Sequence, residues 1–340
     1  MDSAARKILA DLQARKFDPV YLLQGEDPYY IDLISNYIEA NALSESEKGF
    51  NQVILYGKES PVAVILNNAK RFPMMAERQV VIVREAQNIP DLNNEVGQKL
   101  LLDYFQRPLQ STILVLCHKY KTLDKRKELG KKADQLTTSV TFKKPYDNQL
   151  PEFVDEYVKS RGNAIDGGAV RVLCESVGAD LSRLTMEIDK VLTAKAAGYK
   201  ISEEDVMNQV GMSREFNVFE LQKALIQQDT WRACQIAEYF AGNTKKNPII
   251  MVVAFLFSFY SKLMVFAVAS SSASKDSSNS LKVNPYAMKD YSLALQKYGV
   301  AKLVANISLL KEADLRLKGV NSASTDEGQI IKELVLRLMH

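Results

Sequence analysis

VYLLQGEDPYYID, residues 20–32, is the stretch that decides the fold. Its first five residues are short, apolar and suited to a strand, Gly25 breaks the run, and Asp27 followed by Pro28 is a pair that caps and opens a helix, here through Ala40. A strand that runs through a glycine turn into a helix is the repeating unit of a parallel α/β sheet. Further units follow along the first half of the chain. Gln52–Tyr56, Gln79–Arg84, Thr112–Cys117 and Val140–Phe142 are rich in β-branched or aromatic residues and bounded by turn formers, and Ser60 with Pro61 repeats the capping pair before VAVILNNAK.

The pattern changes after Lys143-Lys144-Pro145, beyond which no further convincing strand is expected. Three apolar-periodic helices of short to medium length, PEFVDEYVKSRG, DGGAVRVLCESVG and DLSRLTMEIDKVLTAKAAG, each close on glycine, and a short fourth begins at Ile201-Ser202-Glu203. From Met212 the helices lengthen, interrupted by the low-complexity stretch SSSASKDSSNS, residues 270–280, which reads as a mobile loop. The expected fold class is therefore α/β plus all-α: a parallel-sheet domain over residues 1–145, a small helical domain over 146–211 and a long-helix domain over 212–340.

Composition narrows the function. Forty-four Lys and Arg against 41 Asp and Glu leave a net charge of +3, too little for a general polyanion-binding field, so any nucleic-acid contact must be local. Cys117, Cys174 and Cys234 form no CxxC pair, which argues against a disulfide framework or a cysteine-rich zinc site and fits a reducing cytoplasm. The first nineteen residues carry polar side chains throughout and read as an amphipathic helix, with no continuous apolar region of a signal peptide. His118 and His340 are the only histidines, so the usual general base is nearly absent and no catalytic residues, metal or cofactor are expected. PIIMVVAFLFSFYSKLMVFAV, residues 248–268, is almost long enough to span a bilayer, but Ser258, Ser261 and Lys262 near its middle favour a buried or oligomer-facing helix.

Three stretches carry functional signals. Gly25 to Pro28 occupies the position of a nucleotide-binding loop, yet it has one glycine, two carboxylates and neither the lysine nor the hydroxyl that hold phosphates and magnesium. In FPMMAERQVVIVREAQNI, residues 72–89, Met74 and Met75 stand in a turn between helix and strand. They read either as flexible filler folded back on their own core or as an adaptable anchor for another protein's pocket. Residues 119–132 concentrate cations, of which Lys125, Arg126, Lys127 and Lys131 are candidates for DNA phosphate contact; the alternative is a solvated helix face, because only Tyr120 interleaves as an aromatic.

YLLQGEDPYYID and RFPMMAERQVVIVRE, with HKYKTLDKRKELGKK, VGADLSRLTMEIDKV, NVFELQKAL and EADLRLKG in one order along the chain, resemble the delta-subunit family of the bacterial DNA polymerase III clamp loader. The resemblance implies an AAA+-like α/β module with a degenerate nucleotide loop, a small helical lid and a helical collar through which loader subunits form a ring. It implies a subunit of the polymerase holoenzyme that hydrolyses no ATP itself and opens the ring-shaped sliding clamp (the beta subunit) by inserting a hydrophobic pair. That pair maps onto Met74 and Met75, before Ala76-Glu77-Arg78, although the family commonly has an aromatic residue where Met75 stands. The implied partners are the clamp, the ATP-hydrolysing and delta-prime loader subunits, and primer-template DNA within the complex, in the cytoplasm and with no membrane. The competing readings are an independent AAA+-type ATPase, which would need the missing lysine, and a membrane-attached scaffold using the helix at 248–268.

Overall fold

A computed structural model describes residues 2–193, 195–209, 216–271, 288–320 and 326–340. Of the serine-rich stretch 270–280, residues 272–280 lie outside the described residues, as does the expected domain boundary at 211/212. The chain divides into two compact units, residues 1–145 with 180–182, and residues 146–179 with 183–340.

The first unit runs α1 (Ser3–Gln13), β1 (Val20–Gly25), α2 (Tyr29–Asn41), α3 (Glu45–Asn51), β2 (Gln52–Tyr56), α4 (Val62–Ala69), β3 (Gln79–Arg84), α5 (Glu95–Gln106), β4 (Thr112–Lys119), α6 (Glu128–Leu136) and β5 (Thr138–Phe142). Its five strands lie in the order β2-β3-β4-β1-β5 and every pair is parallel, as strands separated by helical crossovers must be. This is the parallel α/β sheet expected from the sequence. The central strands β1, β3 and β4 are buried almost throughout, which explains their near-continuous apolar runs. Alternate residues Val20, Leu22, Val81, Val83, Leu114 and Leu116 share one core with Ile65 of α4, Leu101 and Phe105 of α5 and Leu129 of α6. Helix α2 packs against β3 and β4 through its buried Ile31, Ile34 and Ile38. Each such aliphatic side chain contributes roughly 1.5–3 kcal/mol on full burial.

One capping expectation changes. Ser60 does not cap α4; the Val62 N–H donates 2.9 Å to the Asp91 carboxylate, twenty-nine residues away in sequence. A local pattern cannot reveal a cap supplied by a distant loop. Helix α3 was also not expected, because ESEKGFN is too short and polar to show a period, and a reciprocal capping box between Ser44 and Glu47 sets its start.

The second unit begins with α7 (Leu150–Ser160), α8 (Gly167–Val177), α9 (Leu181–Leu192) and α10 (Glu203–Gln209). The expectation of no strand beyond residue 145 is corrected here. Two-residue strands β6 (Ala164–Ile165) and β7 (Lys200–Ile201) pair in parallel, too short to leave any alternation in the sequence. Then come α11 (Val218–Gln227), α12 (Thr230–Gly242), α13 (Ile249–Ser271), α14 (Met288–Leu317) and α15 (Glu327–Met339). Helix α14 breaks at Gly299, whose φ of 68° and ψ of 167° no helix interior allows, so it is two helices in tandem.

These helices bury one large core. By length and composition, Ile249–Ala269 could cross a membrane, with a mean hydropathy of 2.2. In the fold its Val252, Leu256, Phe259, Tyr260 and Leu263 lie in the bundle core, and Lys262 reaches Asp147 at 2.6 Å. A polar link crosses the same core, where the Tyr298 hydroxyl donates to the Leu225 carbonyl at 2.6 Å and lies 3.4 Å from the Tyr260 hydroxyl.

Charge is concentrated around α8. Arg171 sits 3.1 Å from Asp290 and 3.5 Å from Glu203, and one turn on, burial pushes the Glu175 carboxyl up to about 7, against the pull of Arg171 and Lys262 and with the help of Asp290 and Asp147. A carboxyl raised in the folded state holds its proton between its unfolded pKa, near the ordinary 4.5, and about 7. In that window the folded state binds more protons than the unfolded chain, so stability falls as pH rises and then levels off. Glu175→Gln should therefore be more stable than the parent by roughly 1–3 kcal/mol at pH 8 and nearly equal to it at pH 4, read from urea midpoints at both pH values. An equal difference at the two values would mean that the carboxyl titrates normally.

Candidate functional site at the Met74–Met75 turn

Residues 70–78 connect α4 to β3, and their geometry is set from both ends. At the start of β3 the Gln79 side-chain amide is buried and lies within hydrogen-bonding distance of the carbonyls of Asn68 (3.1 Å), Ala69 (3.4 Å) and Arg71. Thr112 of β4 also donates to the Ala69 carbonyl at 2.9 Å. On the other side, Asn51 at the end of α3 accepts from the Met74 N–H at 2.6 Å and donates to the Met74 carbonyl at 2.9 Å. Arg78 closes the turn with its guanidinium 5.0 Å over the Phe17 ring.

Met74 is 54% exposed and Met75 fully so, at 102%. The core-filler reading of the two methionines does not describe this fold. Phe72 and Phe50 are exposed as well, so four large apolar side chains meet solvent along this turn and the end of α3. Met75 has φ of 54°, a left-handed conformation that costs a residue with a Cβ about 1–2 kcal/mol. The sequence reading missed Phe50 and Asn51. An aromatic residue in the otherwise polar ESEKGFN was the available signal.

The loop after β1 is closed to phosphate by its own backbone. The Gly25 N–H donates to the Lys121 carbonyl at 3.2 Å, and the Glu26 N–H to the Phe142 carbonyl at 2.9 Å, so amides that a phosphate cradle would use already have partners. Asp27 is buried and accepts from the Tyr29 N–H at 2.8 Å; burial raises its carboxyl and this bond pulls it back. Beyond the loop, Lys119 pairs with Asp32 at 2.7 Å and Arg84 with Glu39 at 2.5 Å. His118 is buried, which lowers its pKa, and its Nδ1–H donates to the Lys121 carbonyl at 2.9 Å. That bond gives it a structural role.

The basic segment follows β4. Lys125 pairs with Asp134 at 2.9 Å, Arg126 forks onto Asp124 at 3.0 and 2.8 Å, and Lys127 donates to the Asn93 carbonyl at 2.8 Å. Lys131 lies exposed on α6. The fork holds the Asp124 carboxyl at about 2, well below the usual range. Three of the four candidate cations thus share one loop, each with a local partner. Because all five strands are parallel, this loop and the Gly25 turn lie at the C-terminal end of the sheet, whereas the methionine turn lies at the N-terminal end, roughly 20 Å away along six-residue strands.

A family model described as DNA polymerase III, delta subunit, matches residues 21–143, which span the sheet, the methionine turn and most of the basic segment's supports. The chain is 26% identical over 283 residues to the DNA polymerase III subunit delta of Bacillus subtilis strain 168, covering 82% of this chain and 81% of that protein. The solved structure of the Bacillus subtilis DNA clamp loader delta protein is similar in fold with a TM-score of 0.59 at 23% identity, over 98% of this chain and 99% of that one. Residues 21–143 thus match the delta-subunit family model, most of the chain is similar in sequence to a DNA polymerase III delta subunit, and its fold is similar to that of a clamp loader delta protein.

Proposed function

We propose that this chain is a non-hydrolysing clamp-loader subunit that grips the DNA sliding clamp through Met74 and Met75 and opens its ring. The observation that carries the reading is the braced turn, left-handed at Met75, that holds two methionines in solvent. A thioether side chain is polarizable and adaptable, which suits an anchor in an apolar pocket. The occupied amides around Gly25 support a subunit whose ATP hydrolysis is supplied by its neighbours. The outward apolar residues of α13, Met251, Phe257, Val265 and Val268, support a collar over residues 212–340 that packs against the ATP-hydrolysing and delta-prime subunits, with residues 146–211 as the lid. Lys125, Arg126, Lys127 and Lys131 offer a local contact to primer-template DNA inside the cytoplasmic complex, the first three releasing or sharing their present partners.

The reading is tested by titrating the purified chain against the same organism's clamp, with a fluorophore pair across one clamp subunit interface. A complex with a loss of energy transfer across that interface is expected. A clamp that neither binds nor opens would remove the proposed role.

A further inference from the structure

We infer that Asn51 is the positioning residue of the anchor, holding the Met74–Met75 turn in the one backbone arrangement that presents both side chains; the inference rests on the reading of that turn as the clamp anchor. Asn51 is 2% exposed, at the last position of α3, and its side chain reaches from its own helix to another segment. Its Oδ1 accepts from the Met74 N–H at 2.6 Å, and its Nδ2 donates to the Met74 carbonyl at 2.9 Å and to the Glu47 carbonyl at 3.1 Å. The side chain thus answers both main-chain groups of one residue, as a neighbouring strand would. A short primary amide is the side chain suited to this. Aspartate lacks the donor, serine lacks the reach, and glutamine carries one methylene more.

The consequence falls on the next residue. Met75 adopts a left-handed backbone although it is not glycine, and such a conformation persists only where its surroundings over-determine it. With Met74 fixed on one side by Asn51 and the chain re-entering the sheet at Gln79 on the other, Met75 is held with its side chain entirely in solvent. Without the Asn51 brace the turn would spread over several backbone states, only a fraction of which place both methionines for one pocket. Apparent affinity falls in proportion to that fraction, with no contact to the partner lost.

The test measures clamp affinity and amide hydrogen exchange for the parent, Asn51→Ala, Met74→Ala/Met75→Ala and the triple variant. Asn51→Ala should bind the clamp about tenfold more weakly, exchange its Met74 amide faster and keep the β3 amides Val81 to Val83 protected. In the triple variant the extra loss caused by Asn51→Ala should shrink toward nothing, since there are no anchors left to position. Full affinity in Asn51→Ala, or an equal loss in both backgrounds, would overturn the inference. Should Asn51→Ala fail to fold, Asn51→Asp, which keeps the acceptor and removes the donor, carries the same comparison. Undiminished binding by the methionine double variant would instead overturn the anchor reading, while exchange at Met74 would still report whether Asn51 holds the turn.

Discussion

Replacing Met74 and Met75 together by alanine should weaken binding to the sliding clamp by about two to four orders of magnitude while leaving the fold intact. Burying a methionine completely is worth roughly 1.5–3 kcal/mol, and two of them together account for that range if both enter the pocket. Folding should be indifferent, because Met75 is fully exposed and Met74 half-exposed, and surface substitutions without structural partners shift stability by about 0.5 kcal/mol or less. Calorimetric titration of the clamp and thermal unfolding of the same samples separate the two effects. A single change sharpens the test. Met75→Gly removes one anchor and relieves the left-handed backbone, so affinity should fall while thermal stability holds or rises slightly. Unchanged clamp affinity in a folded double variant would move the contact to another surface of the first unit.

The second large effect is structural. Gly25→Ala should destabilise the first unit by about 3 kcal/mol or more, because its φ of 135° suits glycine and an added Cβ would lie 2.0 Å from the Phe142 carbonyl oxygen. That oxygen cannot easily retreat, since it accepts the Glu26 N–H at 2.9 Å and belongs to β5, paired with β1 along its length. Urea unfolding followed by tyrosine fluorescence and circular dichroism would report the change. A variant of parental stability would show that the turn has slack, and with it the space that the crowded backbone denies to a phosphate. The glycine of this loop therefore serves close packing between two strands.

The parallel sheet was readable because its central strands are buried on both faces and their apolar runs are bounded by turn formers. QVVIVR and TILVLC give their place almost to the residue, and the break at Gly299 follows from a glycine between two periodic stretches. What could not be read depends on partners remote in sequence. Asp91 caps α4, Asn51 binds Met74 across twenty-three positions, and β6 meets β7 only because α8 and α9 fold between them. The methionine turn shows the same limit. Its composition favoured filler over anchor, and its exposure was decided by Asn51 and Gln79, which no local pattern connects to it. The basic loop was visible as charge, but its pairing with Asp124 and Asp134 required the fold.

The mounting of the turn also has a mechanical side. Met74 and Met75 sit just ahead of β3, an interior strand hydrogen-bonded to β2 on one flank and to β4 on the other. A pull on the methionines directed along that strand would load both ladders in shear, so that their hydrogen bonds resist together; a pull across the sheet would peel them one after another. On the proposed function the turn would be under tension as the ring opens, and this attachment would give it a rigid anchorage that fails late along one direction and early along the other.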